Sequence, residues 1–393
     1  MPARRYLAPF FAIVLSGALA GCATLCVHSG DRCGSVDTAP TLRGAVVDPA
    51  GEPIPGIAVC AATNRGSVTV VTDCTGRFVV PGIIADPQVI LLAGPLGVGR
   101  VRIPEAPAED GLFLTYPVVT EVFLLHDNDL HFDFNYREQF EQAVAWFRNE
   151  FANVYLLNAG DIFVRHRSKW PVDALEYYDE RSRFIIETMN DIGYDVCTLG
   201  NHELDYRGHY TRDSLRLARF PRLGANVDVS TANFDQPAPY VMFETDNGYT
   251  MAILGLCSIN ADPGGIVLRN PADTVHDYLH LRAEHDLFIV LSHLGVRTDR
   301  GLAGQFGEID VIVGGHSHTL LETAEVVNGV LIAQAGGHPH PIEPDRPKYL
   351  GVVRIVMEND HVAEKTGEVY QFDELRSDFE RIVATYSAAV QAK

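Results

Sequence analysis

Aspartate, histidine and asparagine side chains that could hold a divalent cation recur in five short clusters along this chain. Asp129 stands two residues before His131, Asp161 follows Gly160, and Asn201, His202 and Glu203 follow Gly200. His293 forms a fourth cluster, and His316 and His318 flank Ser317 after Gly315. Carboxylate, amide and imidazole groups without a thiolate make a mixed oxygen–nitrogen donor set, which suits Zn, Mn, Fe, Co or Ni better than Mg or Ca. The donor types do not select among the first five. Each cluster follows a short apolar run rich in branched residues, at 122–125, 154–157, 196–199, 288–291 and 311–313. Taken singly, an Asp-x-His or a Gly-His pair is common by chance. The ordered conjunction carries the specificity, and it implies a metal-dependent hydrolase.

The elements that must position these residues are legible from periodicity. Apolar runs with helical segments between them read as buried strands of an α/β sheet. Loops leaving the carboxyl ends of such strands are where open α/β sheets build their sites, so the clusters are expected to converge. The segment 137–151 places Phe140, Ala143, Val144 and Phe147 on one helical face, and 174–193 follows the same pattern. Two further strands are expected near 330–334 and 352–357. The chain closes with an amphipathic segment carrying Leu375, Phe379, Ile382, Val383 and Tyr386.

From Leu42 to Pro117 the texture is different. Short strands alternate with Gly/Pro-rich turns, first in 42–63 and then around Asp73 to Gly76, with more strands near 89–92 and 99–103. This pattern predicts a small β-sandwich. A length of 393 residues also fits two domains better than one. The expected division is a signal segment at 1–21, a tether at 22–41, the sandwich at 42–117, the metal-binding domain at 118–372 and a terminal helix at 373–393. No internal repeat or low-complexity tract interrupts it.

Net charge and cysteine usage bound the surroundings. A formal charge of −20 argues against nucleic acid as a partner. An anionic substrate would then depend on local positive charge, which bound metals would supply. Arg4 and Arg5 precede an apolar stretch over 6–20 that is too short and wrongly flanked for a membrane-spanning helix. It ends in Leu19-Ala20-Gly21-Cys22, similar to a bacterial lipobox; the alternative is an ordinary secretory signal cut near Ala20 or Ala23. Lipidated Cys22 would anchor the protein in the cell envelope, on the periplasmic or extracellular side. In that oxidising setting Cys26–Cys33 and Cys60–Cys74 are expected as local disulfides, and Cys197 and Cys257 as buried thiols.

The ordered set of motifs resembles the metallophosphoesterase (calcineurin-like) superfamily. "LLHDNDLH", "LGNHELD", "LGANV", "LSHLG", "GGHSHT" and "AQAG" look most like its 5′-nucleotidase/UDP-sugar hydrolase branch. The resemblance covers about two thirds of the chain. It implies an α/β (α+β) fold of two facing β-sheets flanked by helices, here preceded by the sandwich. It also implies two divalent metal ions: Asp129, His131 and His318 would hold the first, Asn201, His293 and His316 the second, and Asp161 would bridge them. A hydroxide between the paired metals would attack phosphorus in line, in one step with inversion. His202 would stabilise the transferring phosphoryl group or protonate the leaving oxygen. Asp205 would orient His202, or serve only as a helix-start carboxylate. The start of the sandwich, with Gly44, Val46, Asp48, Gly51, Pro53, Ile54 and Gly56, resembles a carboxypeptidase-regulatory-like or Cna-B-like domain.

Three departures from the branch bear on the substrate. After Asp161 the chain reads "IFVRHRSKW", so Arg165, Arg167 and Lys169 either touch a substrate phosphate or form a solvated basic loop. His338 and His340 lie in a longer turn and read as loop residues more readily than as cleft lining. The third departure is the expected lack of the C-terminal domain whose aromatics stack on the base in such nucleotidases. Nucleoside recognition would then need the sandwich, the 165–178 loop or another chain. A small phosphorylated compound is the expected substrate, with nucleotides first. A phosphodiester or non-nucleotide phosphoester is the alternative. In a different class stands an envelope binding or assembly lipoprotein with a vestigial metal domain and a partner on the sandwich.

Overall fold

Among the described residues seven strands come first: β1 Leu42–Val47, β2 Ala58–Thr63, β3 Gly66–Val71, β4 Arg77–Val80, β5 Gln88–Gly94, β6 Gly97–Ile103 and β7 Leu112–Thr115. The computed structural model describes residues 41–391 apart from 64–65, 83–87, 104–111, 165–171, 206–210, 231, 259–264, 338–346 and 374–376. The expectations for the signal segment, tether, Cys22, Cys26 and Cys33 therefore lie outside the described residues. Those for Arg165, Arg167, Lys169, His338, His340 and Leu375 do as well. The strands form two sheets, in the orders β4-β1-β7 and β3-β2-β5-β6. Side chains alternate in direction along a strand. Val46, Val59, Phe78, Val80, Ile90, Leu92 and Leu114 thus share one core between the sheets.

The expected Cys60–Cys74 disulfide is not present, and both thiols are free. Register explains the outcome. Cys60 on β2 pairs with Thr69 on β3, and its Sγ lies 3.0 Å from the Thr69 hydroxyl. Cys74 is exposed in the turn that precedes β4.

The first large sheet takes β8 Val119–Asp127, β9 Val154–Asn158, β10 Val196–Thr198 and β11 Arg222–Leu223, with helices α1 Arg137–Glu150, α2 Val172–Ile192 and α3 Arg212–Leu215 between them. A small pair follows, formed by β12 Val227–Asp228 and the later β15 Val267–Leu268. The second large sheet takes β13 Tyr240–Glu244, β14 Thr250–Leu256, β16 Leu287–Ser292, β17 Val311–Gly314, β18 Glu325–Val327 and β19 Val330–Gln334. Helices α4 Pro271–Asp277, α5 His280–Glu284 and α6 Val296–Gln305 connect its parallel strands. The chain then returns to the first sheet as β20 Lys348–Glu358 and β21 His361–Phe372, and ends in α7 Phe379–Gln391. The sheet orders are β11-β10-β9-β8-β20-β21 and β13-β14-β16-β17-β19-β18.

Four layers result. Leu124, Leu157, Ile253, Ile289, Val313 and Val353 meet between the two large sheets. On the outer face of the first sheet, Phe123 and Leu125 pack with Phe140, Phe147, Ile186, Ile382 and Tyr386 of α1, α2 and α7. On the outer face of the second, Phe288, Val290 and Ile312 pack with Val275, Leu281 and Leu302 of α4, α5 and α6. Strands buried on both faces read as continuous apolar runs, which is why they were visible in sequence. All four residues of the expected α1 face are buried. Strands β13 and β21 are edges of their sheets with partly exposed residues, and no apolar run announced them.

Candidate metal centre

Parallel pairing of β8 with β9 and β9 with β10, and of β14 with β16 and β16 with β17, sends all their carboxyl ends the same way within each sheet. Asp129 and His131 leave β8, Asp161 leaves β9, and Asn201 to Asp205 leave β10. His293 leaves β16, and His316 and His318 leave β17. Five of these residues have left-handed backbone: φ is 51° at Asp129, 48° at His131, 53° at Asp161, 73° at His316 and 53° at His318. Each such residue costs on the order of 1 kcal/mol and persists where its surroundings over-determine it. The surroundings here are hydrogen bonds between loops. Asp129 N–H donates to Gly160 O at 2.9 Å and His131 N–H to Asp161 O at 3.1 Å. Glycine permits the close approach. A Cβ at Gly200 would stand 2.2 Å from Asp161 Oδ1, and one at Gly160, where φ is 86°, would stand 2.7 Å from His293 Nδ1.

The donor atoms fall into three overlapping groups: Asp129, His131 and His318; His131, Asp161 and His202; and Asp161, His293 and His316. Within each group they lie no more than 4.8 Å apart. His318 Nε2 is 3.2 Å from Asp129 Oδ1, and His293 Nε2 is 3.2 Å from Asp161 Oδ2. His131 Nε2 is 3.4 Å from His318 Nε2. His131 Nδ1 lies 2.9 Å from Phe163 O, and His293 Nδ1 lies 2.7 Å from Ala159 O. A carbonyl only accepts, so both Nδ1 atoms carry a proton, and Nε2 is the atom of each ring that faces the centre and could bind a cation. Asn201 Oδ1 is buried with no hydrogen-bond partner among the described residues, and the buried Asp129 Oδ1 and His293 Nε2 face His318 and Asp161, each at 3.2 Å. An unpaired buried polar atom is costly, and cations bound among these groups would satisfy them.

The charge balance points the same way. Burial opposes ionising Asp161, yet His293, His202 and His131 hold its carboxyl well below the ordinary range. Burial equally opposes a charged His293, but Asp161 and Asp129 push it up to about 10. Two carboxylates, 0 % and 2 % exposed, thus draw a proton onto an imidazole with no exposed surface. The cluster calls for positive charge at its centre.

His202 sits at the rim. Its backbone N–H donates to Asp161 Oδ1 at 2.9 Å, its Nε2 is 3.7 Å from Asp161 Oδ2, and its Nδ1 is 2.9 Å from Asp205 Oδ2. Burial lowers the pKa of His202, but Asp205 and then Asp161 outweigh it, and the net shift is upward. Asp205 therefore pairs with His202.

Two further residues complete the arrangement, and sequence reasoning gave neither a role. Glu203 is fully buried and accepts three backbone N–H groups: Asp161 at 3.0 Å, Gly200 at 2.6 Å and Phe163 at 3.2 Å. It clamps the β9 and β10 loops together. Burial and the Asp161 charge push its pKa up to about 7. Asn128 Nδ2 donates to Asp129 Oδ2 at 2.6 Å and to Gly336 O, and its Oδ1 accepts Ala335 N–H. It ties Asp129 to the turn after β19. The motifs "GNHE" and "DND" contained both residues, but their roles depend on backbone groups distant in sequence.

All nine described residues of the expected site are brought to this one end of the sheets. Arg165, expected at the substrate, lies outside the described residues. The calcineurin-like phosphoesterase family model matches residues 124–320, about half of the chain. The chain is 28% identical over 275 residues to the trifunctional nucleotide phosphoesterase protein YfkN of Bacillus subtilis, covering 58% of this chain and 18% of that protein. It is 30% identical over 228 residues to a 5′-nucleotidase of Vibrio cholerae, covering 49% of this chain and 39% of that one. The chain thus spans less than half the length of these curated relatives. Among solved structures, a 5′-nucleotidase precursor from Thermus thermophilus shares the fold, with a TM-score of 0.52, 23% identity, and coverage of 69% of this chain and 59% of that one.

Proposed function

The chain belongs to the calcineurin-like phosphoesterase family and is a metal-dependent phosphoester hydrolase, and from that premise we propose a dinuclear, 5′-nucleotidase-like enzyme acting on a small phosphorylated substrate. The observation that carries the two-metal reading is the position of Asp161. It shares one donor group with His131 and another with His293 and His316. That supports Asp161 as the bridge, with Asp129, His131 and His318 on one side and Asn201, His293 and His316 on the other. Divalent cations held there would supply positive charge to polarise a phosphoryl group and an activated water for attack.

The chain's own residues do the rest. A single carboxylate between two cations offsets their repulsion, while neutral imidazole and amide donors add no further charge. His131 and His293, fixed through Nδ1, present only Nε2 to the centre. His202, whose pKa Asp205 raises, would in its charged form meet the developing charge on the phosphoryl group or give its proton to the leaving oxygen. No described helix is long and apolar enough to cross a membrane. Attachment to the envelope through lipidation of Cys22 is supported separately, by the lipobox-like Leu19-Ala20-Gly21-Cys22.

The relatives' names supply the substrate class, and a panel tests it. The purified protein should carry metal and hydrolyse p-nitrophenyl phosphate and nucleoside 5′-monophosphates, and a chelator should abolish both activities. Preference for bis-p-nitrophenyl phosphate would turn the assignment toward diesters. Absence of both metal and turnover would overturn it in favour of an envelope-binding protein.

A further inference from the structure

The seven-stranded module meets the catalytic region at the amino ends of its strands, away from the metal centre. Asn359 lies in the two-residue turn between β20 and β21, with φ at 54°, a conformation that asparagine tolerates. A hairpin tip is ordinarily solvated, yet Asn359 is fully buried. Its Oδ1 accepts Val118 N–H at 3.0 Å, its backbone N–H donates to Val118 O at 2.7 Å, and its Nδ2 donates to Leu96 O at 2.9 Å. The Tyr249 hydroxyl donates to Asn359 O. The tip is thus buried with its polar groups satisfied, and its Nδ2–Leu96 bond reaches the module directly.

Arg100 on β6 makes a second attachment. Its Nη1 is 2.8 Å from Asp286 Oδ2, its Nε is 3.5 Å from Asp360 Oδ1, and its guanidinium lies 4.9 Å from the centre of the Tyr249 ring. Arg102 pairs with Glu244 beside it. A Cβ at Gly99 would stand 2.5 Å from Val118 and 2.7 Å from Asn359, so the two surfaces touch closely.

The partners fix the orientation. Val118 directly precedes β8, Tyr249 precedes β14 and Asp286 precedes β16. The metal donors follow the carboxyl ends of β8 and β16. The nine residues of β8 separate the two poles by roughly 25–30 Å.

We propose that the N-terminal module is a rigid stand-off, locked to the pole opposite the metal centre and taking no part in substrate choice. Domain interfaces within a chain move by default unless they are well packed. A buried asparagine bonded to Leu96 and the ion pairs of Arg100 and Arg102 supply that fixation here. Recognition beyond the phosphoryl group then belongs to parts other than the module, and the module holds the mouth facing away from itself. The inference rests on the proposed site only for where that mouth lies.

Calorimetry and kinetics of the full chain test it together. The wild type should melt in one transition. Asn359→Ala combined with Arg100→Ala should separate the melting of the module from that of the catalytic region. The same variant should keep kcat and KM for p-nitrophenyl phosphate and adenosine monophosphate within about twofold. Two independent transitions in the wild type, or a KM for adenosine monophosphate raised about tenfold or more, would overturn the stand-off. If the double variant does not fold, Arg100→Ala alone carries the test, with a lowered first transition and the same kinetic criterion. A wild type that hydrolyses neither substrate would remove the proposed activity, and the calorimetric outcome would still decide the attachment.

Discussion

At Asp161 three requirements meet in one residue. Its backbone N–H is held by Glu203, its Oδ1 accepts the backbone N–H of His202, and its Oδ2 faces His293. Removing Glu203 as an acceptor would leave three buried N–H groups unpaired, at about 1–3 kcal/mol each. Glu203→Ala is therefore expected to weaken metal retention, measured by elemental analysis after gel filtration. Glu203→Gln should not rescue it, because its amide nitrogen presents hydrogens where the carboxylate accepts. Full metal content in both variants would contradict the clamp. The His202–Asp205 pair makes a separate prediction. Asp205 raises the His202 pKa above 6.5, so the charged imidazole survives to higher pH than a free one. Asp205→Asn should lower that pKa and move the basic limb of the kcat profile to lower pH, and an unmoved limb would exclude the role. The residues proposed as metal donors stood out in sequence because their order along the chain is distinctive. Glu203 and Asn128 stood beside them unread, since a carboxylate that binds main-chain N–H groups leaves no periodic signal.

Among the elements, the buried parallel strands announced themselves and the edges did not. Runs such as 288–291 are apolar throughout because helices cover one face and a second sheet covers the other. β21 shows only a half-apolar alternation at the rim of its sheet, and no expectation was placed on it. Disulfide pairing failed for a related reason, since proximity of Cys60 to Cys74 depended on a register that sequence does not display. The terminal helix was anticipated, and its packing can be tested. Tyr386 of α7 sits edge-on to Phe123, with ring centres 5.5 Å apart, and 5.2 Å from Phe147. Truncating a buried aromatic costs about 3–5 kcal/mol. Tyr386→Ala should lower stability by about that amount in urea unfolding, whereas a loss below about 1 kcal/mol would show that α7 does not belong to the core.

For the whole molecule, an acidic chain with a net charge of −20 concentrates its demand for cations at one end of two facing sheets. That demand is coupled to protons. In the metal-free protein the neighbouring carboxylates hold a proton on His293 up to about pH 10. This raised value stabilises the metal-free fold at and below neutral pH, and the contribution fades as pH rises through about 10. A cation binding at Nε2 must displace that proton. Apparent metal affinity is therefore expected to rise about tenfold per pH unit across the neutral range. Titration calorimetry in buffers of different ionisation enthalpy should register release of about one proton per chain, and no release would contradict the assignment of His293. The central claim is that Asp161 joins two cations into one hydrolytic centre. Metal content and phosphoester turnover, measured side by side on wild type and Asp161→Ala after saturation and removal of free metal, test it most directly. The account predicts about two ions per chain in the wild type, with metal binding lost and turnover reduced at least about 1,000-fold in the variant. A variant that keeps both ions and near-wild-type turnover would contradict it.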